Sequence, residues 1–469
     1  MVSRRLVLGA AATTLTAGAA GAIGYRAWRD REPAAPPAQD SQGRLLWRNW
    51  SGIEHAYPAQ RLAPASEDEL AALLRTAVAP VRPVGAGHSF TGLATTDGAL
   101  VSFDAMTGLA GHDADARRAT VWSGTRLSDL GPALAEIDQE MPNLPDINKQ
   151  SLAGALATGT HGTGRLSPAL HGGVASFRIA LADGEIKTCS PRENAELYHA
   201  ALVGLGAFGL VTQIELQNQA LTRVLKRSWV ADLEQTLESW PELQRAHRNV
   251  EFYAVPFTDM AVIISCDPTD RPVLPRGPDE DTSGLMLLKG LRDWLGLAPQ
   301  ARRAAAGLAF GGAEPTEAVD EAWKMLSNER PVRFNEMEYH VPIEAQVPAL
   351  REVIAAIEKH RSDVFFPIEA RTVQQDEAWL SPFYRRDSGS IAVHTYYKDD
   401  HEFLYELVEP ILRRYDGRPH WGKLHSLRAA DFASLYPRFA EAAALRREVD
   451  PNGLFMNAHL RKVFAGDET

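Results

Sequence analysis

The sequence predicts an α+β protein built as two domains, and three observations carry that reading. From Leu45 to about Asn218 the chain alternates short apolar runs with Gly-rich turns and only a few helices. Beyond residue 220 the pattern changes to longer helices interleaved with strands. At 469 residues the chain is also too long for one small core, since a unit holds roughly 150 residues.

The elements follow in order. Ser3-Arg4-Arg5-Leu6-Val7-Leu8 precedes a small-residue apolar stretch running to about Gly24. Paired arginines before such a segment form a twin-arginine-type signal over residues 1–28, too short and too weakly apolar for a membrane helix. Ala20-Gly21-Ala22 offers a cleavage site, and Tyr25-Arg26 the end of an uncleaved anchor. The expectation is export to the periplasm or beyond, with membrane contact only through this segment if it is kept. Residues 29–44 form a linker rich in Pro, Ala, Asp and Gln.

The first domain spans 45–219. Ser66 and Glu69 have capping-box spacing and open a helix to Ala77. Val81–Val84 and Ala99–Phe103 read as short strands. Phe177–Leu181 and Glu185–Lys187 flank Asp183-Gly184, the turn of a hairpin. The second domain spans 220–415, and its amphipathic stretch Leu285–Leu297 reads as a cap helix or lid rather than a membrane-surface element. Residues 416–469 form a C-terminal segment that returns to the first domain.

With 49 basic against 60 acidic residues the net charge is −11, which disfavours nucleic acid and anionic membranes as partners. Cys189 and Cys266 are too few for a disulfide framework or a zinc site; buried free thiols are expected, and no metal.

Three segments carry chemistry. In Gly85-Ala86-Gly87-His88-Ser89-Phe90, two glycines after a strand bring bare amides together as a nest for a diphosphate, and an imidazole follows. Gly154-Ala155-Leu156-Ala157-Thr158-Gly159-Thr160-His161-Gly162-Thr163-Gly164 is nearly all small side chains; its value lies in close backbone approach to something flat or charged. Gly204–Thr212, with Gly209 and Val211, is again Gly-rich and leads into a strand. Together they imply one large phosphate-bearing ligand, and none fits the βαβ dinucleotide fingerprint or the P-loop.

These motifs, read as G-x-G-H-S-F, A-T-G-T-H-G-T-G and G-x-x-G-x-V-T, resemble the FAD-binding domain of the vanillyl-alcohol oxidase superfamily. The similarity is greatest to its aldonolactone oxidase and alditol oxidase branch, which includes bacterial D-arabinono-1,4-lactone oxidase-like proteins, and runs from about Asn49 to Phe464. It implies a two-subdomain FAD-binding domain of the vanillyl-alcohol oxidase type with an α+β substrate (cap) domain. It also implies flavin joined covalently through His88.

Further resemblances place the rest of the site. Glu369 and Arg371 of Ile368–Thr372 match the family's E-x-R-T strand, where residues two apart face the same way. His394 matches a pocket histidine, and His420-Trp421-Gly422-Lys423 the H-W-G-K turn whose lysine meets substrate. Pro145 falls where the chain passes the flavin edge open to oxygen, which favours an oxidase. Asp146 stands where alditol oxidases carry a substrate-binding serine, a departure that weakens a simple alditol preference. The implied reaction is hydride transfer from a hydroxyl-bearing carbon of a sugar lactone or polyol to flavin N5, with oxygen reduced to hydrogen peroxide. The rival implication is a dehydrogenase of the same fold passing electrons to a quinone or cytochrome. A non-catalytic flavin- or sugar-binding protein is the remaining reading.

Overall fold

The computed structural model describes Gly24, Ala27 and residues 30–277, 281–328 and 332–465. The twin-arginine motif lies outside them. The first part of the fold holds a parallel three-stranded sheet, ordered Gln60–Leu62, Ala99–Ser102, Val81–Val84. Beside it stands an antiparallel five-stranded sheet, ordered Ile186–Cys189, Val174–Ala180, Leu210–Gln217, Arg118–Trp122, Leu109–Asp113.

Local expectations match these elements. The helix Glu67–Leu74 is capped by Ser66, whose Oγ accepts from the Glu69 amide at 3.2 Å, while Glu69 accepts from Ala65. The Asp-Gly hairpin forms, with Gly184 at φ +87° where a side chain would be strained. Both cysteines are free and buried.

From Arg223 onward the chain builds one eight-stranded antiparallel sheet. Its order is Thr316–Glu321, Arg223–Asp232, Met260–Pro268, Asn249–Val255, Ile368–Val373, Ser388–Tyr396, Phe334–Pro342, Arg418–Pro419. The helices Leu233–Ala246 and Gln346–His360 bury Leu237, Trp240, Leu350, Val353 and Ile357 in the main apolar core. Trp240 packs edge-on against Phe252 at 4.7 Å, so the odd-numbered neighbours Glu251 and Tyr253 point to the other face. The same period-two alternation sends Met337, Tyr339 and Val341 to the core and Glu336, Glu338 and His340 away from it. That second face becomes the wall of the site.

The last segment returns to the first sheet. Leu454 O accepts from the Val81 amide, and Asn457 Nδ2 donates to Gly92 O and Thr95 O, each at 2.8 Å. Arg82, 1% exposed, donates to the carbonyls of Leu93, Leu205, Gly206 and Phe455 at 2.6–2.9 Å. One guanidinium thus ties the strand before Gly85 to the Gly204–Thr212 segment and to the C-terminal segment.

Candidate active site

Two cavities meet at Gln150, which lines both. The smaller, about 140 Å³, is walled by Gly85, Ala86, Gly87, His88 and Ser89, by Gly154 and Ala157, and by Gly209 and Val211. The three Gly-bearing segments therefore share one cleft. Gly87 takes φ +67°, and its carbonyl is held by the Trp50 amide at 2.8 Å. Gly209, at φ +148°, has room for no side chain, because a Cβ would sit 2.6 Å from Ala180 O.

Among the described residues no acceptor takes the amides of Ala86, Gly87, His88 and Ser89. The Ser123 hydroxyl and Gln150 Oε1 in the same walls are also buried without partners. Such groups are stabilised by a polar ligand, and consecutive free amides suit a diphosphate. This cleft fits the pyrophosphate of FAD.

The larger cavity, about 570 Å³, opens over the polar face of the eight-stranded sheet. Glu369, Arg371, His394, Lys423, His420, His161, Thr160, Pro145 and Asp146 all line it. Cross-strand register brings them together: Tyr253 pairs with Glu369, Arg371 with Ser390, and Glu336 with His394. The Tyr253 hydroxyl donates to Glu369 at 2.9 Å. Lys423 donates to Glu336, whose other oxygen lies 3.6 Å from His394 Nε2.

Glu338 is the hub. Its Oε1 accepts from Arg371 Nη2 at 2.6 Å and from the Ser390 hydroxyl, and it meets His161 Nε2 at 3.1 Å. Burial alone would raise this carboxyl, but Arg371 and His161 hold it well below the usual carboxylate range. Burial opposes the charge on Arg371 too, yet Glu369, Glu338 and Glu251 push it well above the ordinary guanidinium value. Glu251 behaves oppositely: burial, with Glu369 and Asp146 nearby, raises it to about 8. His340 and His420 are driven well below an ordinary imidazole, chiefly by burial.

The His420–Lys423 turn lines the larger cavity and is bonded to Phe90 and Thr91, next to the loop that walls the smaller one. His420 and Leu424 amides donate to Glu338 O and Glu336 O, both at 2.9 Å, which pins the turn to the sheet. On its other side Gly422 O accepts from the Phe90 amide at 2.7 Å, and Trp421 O accepts from Thr91 Oγ1 at 3.2 Å. Trp421, fully buried, donates to Leu380 O. Lys423 Nζ lies 5.1 Å from the Phe90 ring centre, and His88 stacks on Trp50 at 5.1 Å. Burial first, then Lys423 and Arg126, lowers the His88 imidazole to about 4.

Three residues expected at the cofactor line neither of these cavities. Phe90, 3% exposed, packs against Trp50 and Phe334 in the core. Gly159 makes a turn at φ +77° against Pro382. Gly162 is bare because a Cβ would fall 2.3 Å from Leu144 O, so it lets the 143–146 segment lie close. Asp146 reaches the cavity while its Oδ1 accepts from Asn328 Nδ2 at 2.6 Å.

Sequence reading missed Glu336, Glu338, His340 and Tyr253. Their signal was present: Phe334–Pro342 alternates acidic or imidazole side chains with apolar ones at period two, although the strand is buried on both faces.

Comparison with known proteins agrees with this geometry. The profile of the D-arabinono-1,4-lactone oxidase family matches residues 214–463, and that of an FAD-binding domain matches residues 58–190. L-gulono-1,4-lactone dehydrogenase of Mycobacterium tuberculosis is 34% identical over 429 residues, 89% of this chain and 99% of its own length. Alditol oxidase of a Streptomyces species is 30% identical over 442 residues, covering 89% and 99%. L-gulonolactone oxidase of Bos taurus is 29% identical over 440 residues, covering 90% and 98%. Among solved structures, a cholesterol oxidase from Brevibacterium sterolicum superposes with a TM-score of 0.70 at 15% identity, covering 92% of this chain and all of that one, a likeness of fold. The free amides of the Gly85–Ser89 loop, the charged sheet face beside it and these matches agree: the chain belongs to the D-arabinono-1,4-lactone oxidase family, in the aldonolactone oxidase branch of the vanillyl-alcohol oxidase-type flavoproteins.

Proposed function

We propose that the protein is an FAD-dependent oxidase acting on a hydroxyl-bearing carbon of a sugar lactone or polyol. The observation that carries the reading is the gathering of Arg371, Lys423, Glu369 and His394 on one wall of the cavity adjoining the Gly-lined cleft. Bound FAD supplies the two-electron acceptor for hydride, chemistry that belongs to the cofactor. As the carbinol carbon loses hydride its hydroxyl loses a proton, leaving a carbonyl. Arg371 and Lys423 stabilise the negative charge that develops on that oxygen. Glu369, oriented by Tyr253, and His394, beside Glu336, take neighbouring hydroxyls of the substrate.

His88 is the residue that would bind the flavin covalently. An imidazole with its pKa lowered to about 4 is neutral at physiological pH and keeps a nitrogen lone pair free for bonding. Denatured wild-type protein should run yellow on a gel and His88→Ala colourless; flavin lost from both on denaturation would refute covalent attachment.

Oxygen as acceptor is supported by Pro145 in the cavity wall. A second reading, electron delivery to another acceptor, is favoured by the dehydrogenase name of the 34% identical relative. Stoichiometric hydrogen peroxide in air supports the oxidase. Rapid dye reduction without peroxide would replace it with the dehydrogenase. Export through Arg4-Arg5 completes the proposal; Arg4→Lys/Arg5→Lys should retain the protein in the cytoplasm, and undiminished export would remove that part.

A further inference from the structure

The helices Asp281–Leu295 and Pro299–Phe310 form a hairpin over the large cavity, and the first of them buries charges beside Leu285 and Leu288 while it leaves other apolar side chains outside. Three of its charged residues, Lys289, Arg292 and Asp293, turn inward, with side chains 11%, 2% and 5% exposed. Lys289 bonds Asp30 and Asp293 at 2.7 and 2.9 Å, and Arg292 bonds Asp399 at 2.7 Å. Outward, at helical spacing, stand Leu287, Trp294 and Leu297, with Met286 alongside and Leu308 on the second helix. Their exposures are 43%, 60%, 100%, 39% and 89%.

Five of the ten large apolar side chains exposed among the described residues thus fall on this one hairpin. A soluble helix normally shows its charges to water and its leucines to the core. Contiguous apolar surface of the opposite kind marks an interaction face.

The N-terminal chain selects the partner. Residues 6–23 carry no charge, and the chain enters the fold at Asp30, ion-paired to Lys289 of the hairpin, and at Glu32, 2.9 Å from Lys398. Any bilayer engaged by residues 6–23 therefore lies close to the hairpin. We infer that the outward face of residues 281–310 docks on a lipid bilayer. The exposed face offers leucine and tryptophan without lysine or arginine, and the chain's net charge is −11, so docking is apolar and needs no anionic lipid. The inward face of the hairpin lines the cavity with Leu285, Leu288 and Phe310, so the membrane lies directly over the lid. On this inference the amphipathic stretch, read from the sequence as a cap helix or lid, serves also as a membrane-surface element. This inference is independent of the proposed reaction.

The test uses the full-length flavoprotein. Cys189 and Cys266 are buried, so Leu287→Cys can be labelled selectively with an environment-sensitive fluorophore, with Leu166→Cys, 82% exposed elsewhere, as control. On phosphatidylcholine vesicles the probe at 287 should shift to the blue and be quenched by brominated lipid, in low and high salt, while that at 166 stays unchanged. Adding Trp294→Ser and Leu308→Ser should lower partitioning of the 287 probe by at least about tenfold. Vesicle pelleting without a shift at 287 would show the N-terminal segment binding alone, and would overturn the proposal. So would a blue shift that appears with rising protein concentration in the absence of lipid, since a second copy would then cover the face.

Discussion

Glu338→Gln is the substitution that probes the site most sharply. The side chain is 1% exposed, and one of its oxygens meets a guanidinium, an imidazole and a hydroxyl. Glutamine keeps the volume and one acceptor but removes the charge. Breaking a buried ion pair costs about 3–5 kcal/mol. Arg371 keeps Glu369 at 3.4 Å, so the lower end, about 3 kcal/mol, is expected at pH 7.

The pH dependence has a definite sign. Because Arg371 and His161 overcome burial and depress the folded carboxyl, its contribution is fully present above its unfolded value of about 4.3. That contribution is lost as pH falls through the lower folded value, and the variant never has it. Urea unfolding should therefore show a wild-type advantage that narrows below about pH 4. Turnover should fall by about 100-fold or more, since Arg371 is no longer fixed over the cavity. Equal unfolding midpoints at pH 7, or a gap at pH 7 that does not narrow in acid, would refute the role given to Glu338.

Other consequences are equally concrete. Lys423→Met should lower kcat by about 100- to 1000-fold while flavin content stays normal, the loss of one donor to a developing oxyanion; steady-state kinetics and absorbance decide. Arg82→Met strands four carbonyls of segments around the Gly-lined cleft, so protein purified without added FAD should be colourless and unfold earlier in urea. Glu251→Gln should stabilise the protein by about 1–2 kcal/mol near pH 8. A carboxyl raised to about 8 on folding holds its proton after the unfolded chain has released it, and that cost grows from about pH 4.3 upward; the gain should vanish below that pH.

Much of the fold was legible because its signals are local. A capping box, an Asp-Gly turn and Gly-rich loops each act within a few residues, and each stands where the sequence put it. Glu369 and Arg371 were also readable, because strand alternation alone puts them on one face. Glu338 was not: it meets Arg371 only after Phe334–Pro342 and Ile368–Val373 pair on either side of Ser388–Tyr396. Phe90, Gly159 and Gly162 belong to the same motifs yet lie outside the linings of both cavities, a placement set by their neighbours Phe334, Pro382 and Leu144.

Anaerobic mixing of the purified flavoprotein with aldono-1,4-lactones, alditols and free sugars tests the proposed chemistry most directly. At least one lactone or polyol should bleach the visible absorbance of the oxidised flavin at a rate matching turnover, and Lys423→Met should slow that bleaching by about 100-fold or more. A spectrum left unchanged by every hydroxylated compound, or bleached equally fast in the variant, would contradict it.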